Sequence, residues 1–306
     1  MKKLLVATVK PFHPNAVEGI KEICNKAGYE FNLLEKYNDQ SELIEAVKDV
    51  NALIIRSDKV TKEVIDAAEN LEIVVRGGAG YDNVDLEAAT AKNVVVMNTP
   101  GQNSNAVAEL ALGMMVFLAR NKYNGKAGTE LRGKKLGIHA FGNVGSYVAE
   151  IAKGFGMDVH AYDPYADDDK IKKAGVKRID KVEDLYKTCR YVSLHIPSNE
   201  KTRGSIGFDL LSKLPPNGIL VNTARKEVID EDGLMKTFEE RSDFKYLTDI
   251  APDCKDTLEE KFGDRYFATP KKMGAQTAEA NINAGLAAAN QIVDFFENGV
   301  KTFKVN

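Results

Sequence analysis

Tryptophan is absent from this 306-residue chain, and only three cysteines, four histidines and nine prolines occur. Each scarcity excludes something. Cys24, Cys189 and Cys254 are scattered, so no disulfide framework is expected and a reducing cytoplasm is the natural compartment. His13, His139, His160 and His195 share no metal-ligand spacing with each other or with a cysteine, so no metal site is expected. No apolar run approaches membrane-spanning length. Residues 1–9 hold lysines and a short apolar run, too short for a secretory leader and interrupted by Lys10. They read as a first strand, and no membrane partner is expected. Neither sign of charge is in excess, with 42 Lys and Arg against 45 Asp and Glu. So balanced a chain offers no basic stripe to a nucleic acid and no acidic tail to a basic partner. What is present is a globular composition, 43% hydrophobic and 28% charged, at a length that suits two domains.

The most informative stretch is 131–164. Residues 136–140 are a short apolar strand run, and 140–145 (Ala140-Phe-Gly-Asn-Val-Gly145) read as a turn. Residues 146–155 have helical apolar spacing through Val148, Ile151, Ala152 and Phe155; 157–162 form the next strand and Asp163 closes it. Strand, glycine turn, helix, strand and acid make a dinucleotide-binding βαβ unit. Gly142 lets the backbone approach a pyrophosphate, and Gly145 lets the helix pack close on the sheet. Asn143 and Val144 lie between them, where N–H groups at a helix N-terminus meet phosphate. Asp163 stands 18 residues beyond Gly145, near the spacing of about 20 for an acid that holds a ribose 2′-hydroxyl. A carboxylate there repels a 2′-phosphate, so NAD is expected rather than NADP. The first glycine of the fingerprint is replaced by Ala140.

Elsewhere strands and helices alternate, the pattern of α/β layers with parallel sheets. Strands are expected at 4–9, 31–34, 52–55, 73–75 and 94–97, with helices at 15–26, 41–47 and 61–68. These form a small doubly wound unit before the fingerprint begins. The loops 98–103 and 269–274, each with Pro and Gly, read as crossings between domains. The segment 107–119 is apolar nearly all round and is expected to be buried, in a subunit interface. Later strands are expected at 191–195, 219–222, 246–248 and 266–269. The alanine-rich helix 277–296 then returns the chain to its first domain, with 300–305 packing there. The expected fold is α/β with two doubly wound parallel-sheet domains. A Rossmann NAD-binding domain (99–275) is inserted into a flavodoxin-like substrate domain (1–98 and 276–306). Two crossings make a hinge, and the cleft of a hinged pair is where cofactor and substrate meet.

Several segments, in order, resemble the D-2-hydroxyacid dehydrogenase family: 76–85 (RGGAGYDNVD), 98–109 (NTPGQNSNAVAE), the fingerprint, 192–197 (VSLHIP), 221–230 (VNTARKEVID) and 269–280 (TPKKMGAQTAEA). The branch most resembled oxidises 3-phospho-D-glycerate to 3-phosphooxypyruvate with NAD, in serine biosynthesis. The resemblance implies that Arg225 pairs with the substrate carboxylate and carbonyl oxygen, a task suited to a planar guanidinium. It places Thr223, Ala224, Asp249 and Gly274 near the nicotinamide, and His195 and Pro197 along the cofactor cleft. The family's acid/base is ordinarily a histidine soon after Thr-Pro, assisted by an upstream glutamate. This chain has no histidine beyond His195. Aligned back from Gly274-Ala275, the histidine position holds Lys272, and the glutamate position falls on Cys254 with Asp253 beside it. Lys272 is therefore expected as the acid/base, its pKa brought down by Arg225 and partial burial, and Asp253 as a stand-in for the glutamate. Arg56, Ser57, Gly78, Ala79, Gly80 and Asn103 are expected to hold the substrate, a small phosphorylated hydroxy acid, with Arg132 and Lys134 lending charge toward the phosphate. The resemblance also implies a homodimer formed through the cofactor domain. With the sequence ending at Asn306, no C-terminal regulatory domain and no serine feedback through one are expected. Two other readings stand beside this one: a reductase of glyoxylate, hydroxypyruvate or another D-2-hydroxyacid, and a non-catalytic dinucleotide-sensing regulator on the same scaffold.

Overall fold

The computed structural model describes residues Met1–Asn306. In chain order the elements are β1 (Lys3–Thr8), α1 (Pro14–Ala27), β2 (Glu30–Glu35), α2 (Gln40–Ala46), β3 (Ala52–Ile55), α3 (Lys62–Ala67), β4 (Ile73–Arg76), α4 (Leu86–Ala91), β5 (Val95–Asn98) and α5 (Ser104–Ala119). There follow β6 (Lys135–His139), α6 (Asn143–Gly154), β7 (Asp158–Tyr162), α7 (Asp168–Lys173), β8 (Lys177–Arg178), α8 (Val182–Thr188), β9 (Tyr191–Leu194) and α9 (Phe208–Leu211). The last are β10 (Ile219–Asn222), α10 (Glu231–Glu240), β11 (Lys245–Thr248), α11 (Lys255–Phe262), β12 (Tyr266–Ala268) and α12 (Ala278–Asn298). The chain divides into two compact units, Met1–Asn103 with Thr277–Asn306, and Ser104–Gln276. The sequence reading put the crossings after residues 98 and 275.

The first unit holds a parallel sheet in the order β2-β1-β3-β4-β5, the flavodoxin type. Its inner strands are continuous apolar runs because both faces are covered. Leu4, Val6, Ile54, Ile73 and Val75 pack against Ala16, Ile20 and Cys24 of α1 and Ala288, Ala289 and Ile292 of α12. The alternate residues Leu5, Ala7, Leu53, Ile55, Val74 and Val96 meet Leu43, Val64, Ile65 and Ala89 on the other side. Helix α4 is a correction: the sequence reading ran straight from one strand to the next. Only Ala89 of this short helix is fully buried, so its apolar pattern is too sparse to read. Yet β4 and β5 pair in parallel, and a parallel pair requires a crossover. Asp85 caps the helix by accepting from the Ala88 N–H.

The second unit holds a seven-stranded parallel sheet, β12-β11-β10-β9-β6-β7-β8, the Rossmann order extended by one strand. The strand order reverses between β6 and β9. Helix α5 is apolar on most faces and buries Val107, Ala108, Ala111, Leu112, Met114, Met115 and Leu118. Helix α6 begins at Asn143, three residues earlier than expected, so the glycine turn is shorter than the sequence suggested. Strand β8 was not expected: its two residues, Lys177 and Arg178, carry no apolar signal. No helix is long and apolar enough to cross a membrane.

Candidate functional site

A single register row crosses the second unit. Tyr162, His139, Leu194, Asn222, Thr248 and Ala268 are partners in adjoining strands. The residue following each is Asp163, Ala140, His195, Thr223, Asp249 and Thr269. Because the strands are parallel, all of these leave the same carboxyl edge, one strand spacing of about 4.8 Å from the next. That edge is where open α/β sheets bind ligands, at the point where strand order reverses.

At β6 the fingerprint glycines divide their work. Gly142 is the N-cap of α6 and provides no side-chain cap, so the first-turn N–H groups are left for an anion. A Cβ at Gly142 would meet nothing within 4 Å, whereas one at Gly145 would lie 2.4 Å from the Ala140 carbonyl oxygen. The fold therefore requires the glycine at 145 and makes no demand of its own at 142. Asn143 and Val144 form the first turn between them. Ala140, in place of the usual first glycine, takes a left-handed φ of 79°, which strains an L-residue by about 1–2 kcal/mol. Asp163 is buried and clamps the same turn: its Oδ2 accepts from the Phe141 N–H (2.8 Å), and its Oδ1 from the N–H groups of Tyr165 (2.8 Å) and Ala166 (3.2 Å). One lone pair on Oδ2 is left without a hydrogen bond within the chain.

Two polar atoms near this edge are buried without a partner, His195 Nε2 and Thr223 Oγ1. A buried polar atom of this kind is open to a hydrogen bond from a ligand or an ordered water. Together with the uncapped helix and the open face at Gly142, they fit a dinucleotide. Burial and the neighbouring His139 push the His195 imidazole down to about 3, and burial pushes His139 to about 4, partly offset by Asp163. Both rings are neutral at physiological pH. His139, not selected from the sequence, sits with Nδ1 3.3 Å from the Tyr186 hydroxyl. Pro197 lies in the exposed loop after His195.

Further along the edge, Arg225 is half-buried beyond β10, with Ala224 before it. Its Nη1 donates to the Ala224 carbonyl at 2.9 Å, and no carboxylate pairs with its guanidinium. Asp249 is 1% exposed. Its Oδ1 accepts from the Thr269 hydroxyl (2.8 Å) and the Met273 N–H (2.7 Å), and its Oδ2 from the Gly274 N–H (2.8 Å). A Cβ at Gly274 would stand 3.0 Å from that Oδ2. Asp249 is thus the anchor of the loop that carries Lys271 and Lys272. Both lysines are exposed, which corrects the partial burial expected of Lys272; they lie in the loop that follows β12. Asp253 is exposed and ion-paired with Lys226, while the N–H groups of Asp253 and Cys254 donate to Glu231 at 2.7 and 2.8 Å. The Asp253 carboxylate neutralises Lys226, and Glu231, which the sequence reading missed, fixes the turn.

The first unit repeats the edge arrangement with Arg56 after β3 and the glycine loop after β4. The Arg56 guanidinium donates to the carbonyls of Lys10 (3.1 Å) and Pro11 (2.8 Å) and lies over the Phe12 ring. Ser57 beside it is exposed. The Gly78 N–H is taken by the Arg76 carbonyl, and the carbonyls of Gly78 and Ala79 accept from the Thr99 N–H (2.9 Å) and the Asn98 amide (2.6 Å). The N–H groups of Ala79 and Gly80 make no hydrogen bond within the chain. A Cβ at Gly78 would fall 1.5 Å from Arg76 Nη1, so this arginine, not selected from the sequence, lies across the loop. Asn103 is half-buried at the end of this segment. Arg132 and Lys134 are corrections. They precede β6, at the amino edge of the second sheet, where the Lys134 carbonyl accepts from the Asp158 N–H. A five-residue strand, about 16 Å long, separates them from the fingerprint.

The comparisons agree with this geometry. The family model for the D-isomer specific 2-hydroxyacid dehydrogenase catalytic domain matches residues 6–306. D-3-phosphoglycerate dehydrogenase of Methanocaldococcus jannaschii is 35% identical over 95% of this chain, which spans 57% of that protein's length. Hydroxypyruvate reductase of Thermotoga maritima is 35% identical over 89% of this chain and 92% of its own. The solved structure of NAD+-bound 3-phosphoglycerate dehydrogenase from Entamoeba histolytica is 49% identical, covering 100% of this chain and 98% of its own, with a TM-score of 0.88. The chain belongs to the D-isomer-specific 2-hydroxyacid dehydrogenase family.

Proposed function

We propose that this chain is an NAD-dependent dehydrogenase that oxidises 3-phospho-D-glycerate to 3-phosphooxypyruvate. The observation that carries the reading is a half-buried arginine without an anionic partner, on the same sheet edge as an open dinucleotide turn. NAD, when bound, supplies the hydride acceptor. Gly142 and the first turn of α6 receive its phosphates, and Asp163 its ribose. Arg225 holds the substrate carboxylate and the C2 oxygen through two N–H groups and polarises that C–O bond. Lys272, as the neutral amine, takes the hydroxyl proton as the C2 hydride leaves; protonated, it returns that proton in the reverse direction. Within the first unit, Arg56, Ser57, Asn103 and the Ala79–Gly80 N–H groups offer the charge and hydrogen-bond donors that an anionic substrate would use.

The choice of substrate is supported by the relatives named phosphoglycerate dehydrogenase. A second reading, reduction of hydroxypyruvate, is favoured by the Thermotoga relative, whose length this chain nearly fills. Steady-state turnover of purified protein decides between them. Oxidation of 3-phosphoglycerate with NAD, and of NADH by phosphooxypyruvate far faster than by hydroxypyruvate or glyoxylate, supports the first reading; preference for the unphosphorylated acids overturns it. We also propose a homodimer through the second unit, where Tyr147 (41% exposed) and Phe155 (42% exposed) of α6 leave apolar surface uncovered. A monomer mass by light scattering would reject it.

A further inference from the structure

Asn222 ends β10 and is 1% exposed. Its side-chain amide works in three directions. Oδ1 accepts from the Ala224 N–H at 2.9 Å; Nδ2 donates to the Arg225 carbonyl at 2.9 Å and to the Tyr246 hydroxyl oxygen at 3.3 Å. The backbone on both sides of Arg225 is therefore held by one side chain. Only a primary amide offers an acceptor and two donors in one plane; a carboxylate of the same shape only accepts. Tyr246, fully buried in the neighbouring strand β11, holds the second amide hydrogen and fixes which way the amide faces. The Asn222 carbonyl in turn accepts from the Asp249 N–H (3.0 Å) and the Thr248 hydroxyl (3.1 Å), which ties this turn to the strand that anchors the Lys272 loop.

We propose that Asn222, oriented by Tyr246, is a positioning residue that aims the Arg225 guanidinium at the substrate carboxylate. The inference rests on the dehydrogenase reading. The long arginine side chain magnifies small rotations of its backbone, and a misplacement of about 1 Å can lower a rate by about a hundredfold. Residues that act as a unit also lose activity non-additively.

The test uses the whole chain with NADH and the best 2-oxo acid found for the wild type. Asn222→Ala, Tyr246→Phe, Arg225→Ala and the double variant Asn222→Ala/Arg225→Ala are compared. Asn222→Ala is expected to lower kcat/KM for the oxo acid by about a hundredfold, while the NADH dissociation constant, read by fluorescence, stays within about twofold. The double variant is expected to be no slower than Arg225→Ala alone. Tyr246→Phe should give a smaller loss of the same kind, and it carries the test if Asn222→Ala does not fold. Additive losses in the double variant, or a loss of NADH binding as large as the loss of turnover, overturn the inference. A wild type that reduces none of the oxo acids overturns the dehydrogenase reading itself, and the inference with it; an active wild type with a normal Asn222→Ala overturns the inference alone.

Discussion

The two fingerprint glycines should fail in opposite ways when a methyl group is added. At Gly142 the backbone has φ −79°, ordinary for any residue, and the new Cβ meets no protein atom within 4 Å. Alanine restricts the unfolded chain, worth about 0.4–1 kcal/mol in favour of folding, and is a poorer N-cap than glycine by a similar amount. The two nearly cancel, so the melting temperature of Gly142→Ala without cofactor should stay within about 2 °C of wild type. The methyl projects into the space where a pyrophosphate must approach, so NADH should bind at least about tenfold more weakly, a loss of about 1.4 kcal/mol. At Gly145 the methyl falls 2.4 Å from the Ala140 carbonyl oxygen and 3.0 Å from Ile138 Cγ2. Neither contact is a flexible chain end, and overpacking of this kind costs about 1–3 kcal/mol. At about 2–4 °C per kcal/mol, Gly145→Ala should melt about 2–12 °C lower. Thermal melts of the cofactor-free proteins and NADH fluorescence titrations read both effects. A Gly142→Ala protein that binds NADH normally would refute the assignment of that position to the ligand. A Gly145→Ala protein as stable as wild type would refute the close packing of α6 on the turn.

Three further outcomes are expected. Lys272→Ala should lose most turnover while still binding NADH, and the wild-type oxidative rate should rise from neutral to alkaline pH because only the neutral amine takes a proton; near-normal turnover, or a flat profile with chemistry limiting, rejects the role. Asp249→Ala strands the N–H groups of Met273 and Gly274, so trypsin should cut at Lys271–Lys272 at least about tenfold faster, in keeping with a loss of about 1–3 kcal/mol per stranded donor; equal cutting rates contradict the anchor. His139 is held near 4 against an ordinary 6.5, so its contribution is whole above pH 6.5 and is lost as the pH falls toward 4. Over that window the unfolded chain takes a proton that the folded one refuses, a loss of up to about 1.4 kcal/mol per pH unit. Between pH 7 and 5 the melting temperature of wild type should therefore drop about 4–8 °C more than that of His139→Gln, and parallel drops would show that the ring is not responsible.

What was legible in the sequence is what repeats locally. The buried strands announce themselves as apolar runs because two helical layers cover them, and β3 and β10 were located to the residue. Gly142, Gly145 and Asp163 were readable because their spacing within one βαβ unit is set by the unit's own geometry. The elements that escaped, α4 and β8, have too few buried side chains to leave a pattern. The larger gap concerns pairings made across strands. Asp163 clamping Phe141, Asn222 bonding Tyr246, Asp249 tethering Gly274 and Glu231 holding Cys254 join residues more than 20 positions apart in the chain, brought together only by the fold of the second unit. No spacing rule encodes them. Arg132 and Lys134 show the same limit from the other side: they lie close to the fingerprint along the chain, yet a whole strand intervenes. In a parallel sheet, residues on the two sides of one strand emerge on opposite edges, whereas residues that follow different strands emerge on the same edge. Candidate side chains in such a fold are therefore better chosen by their offset from the carboxyl end of a strand than by their distance from a motif. That rule selects Asp163, His195, Thr223 and Asp249 together, and it sets Arg132 and Lys134 aside because both precede the strand that leads into the glycine turn.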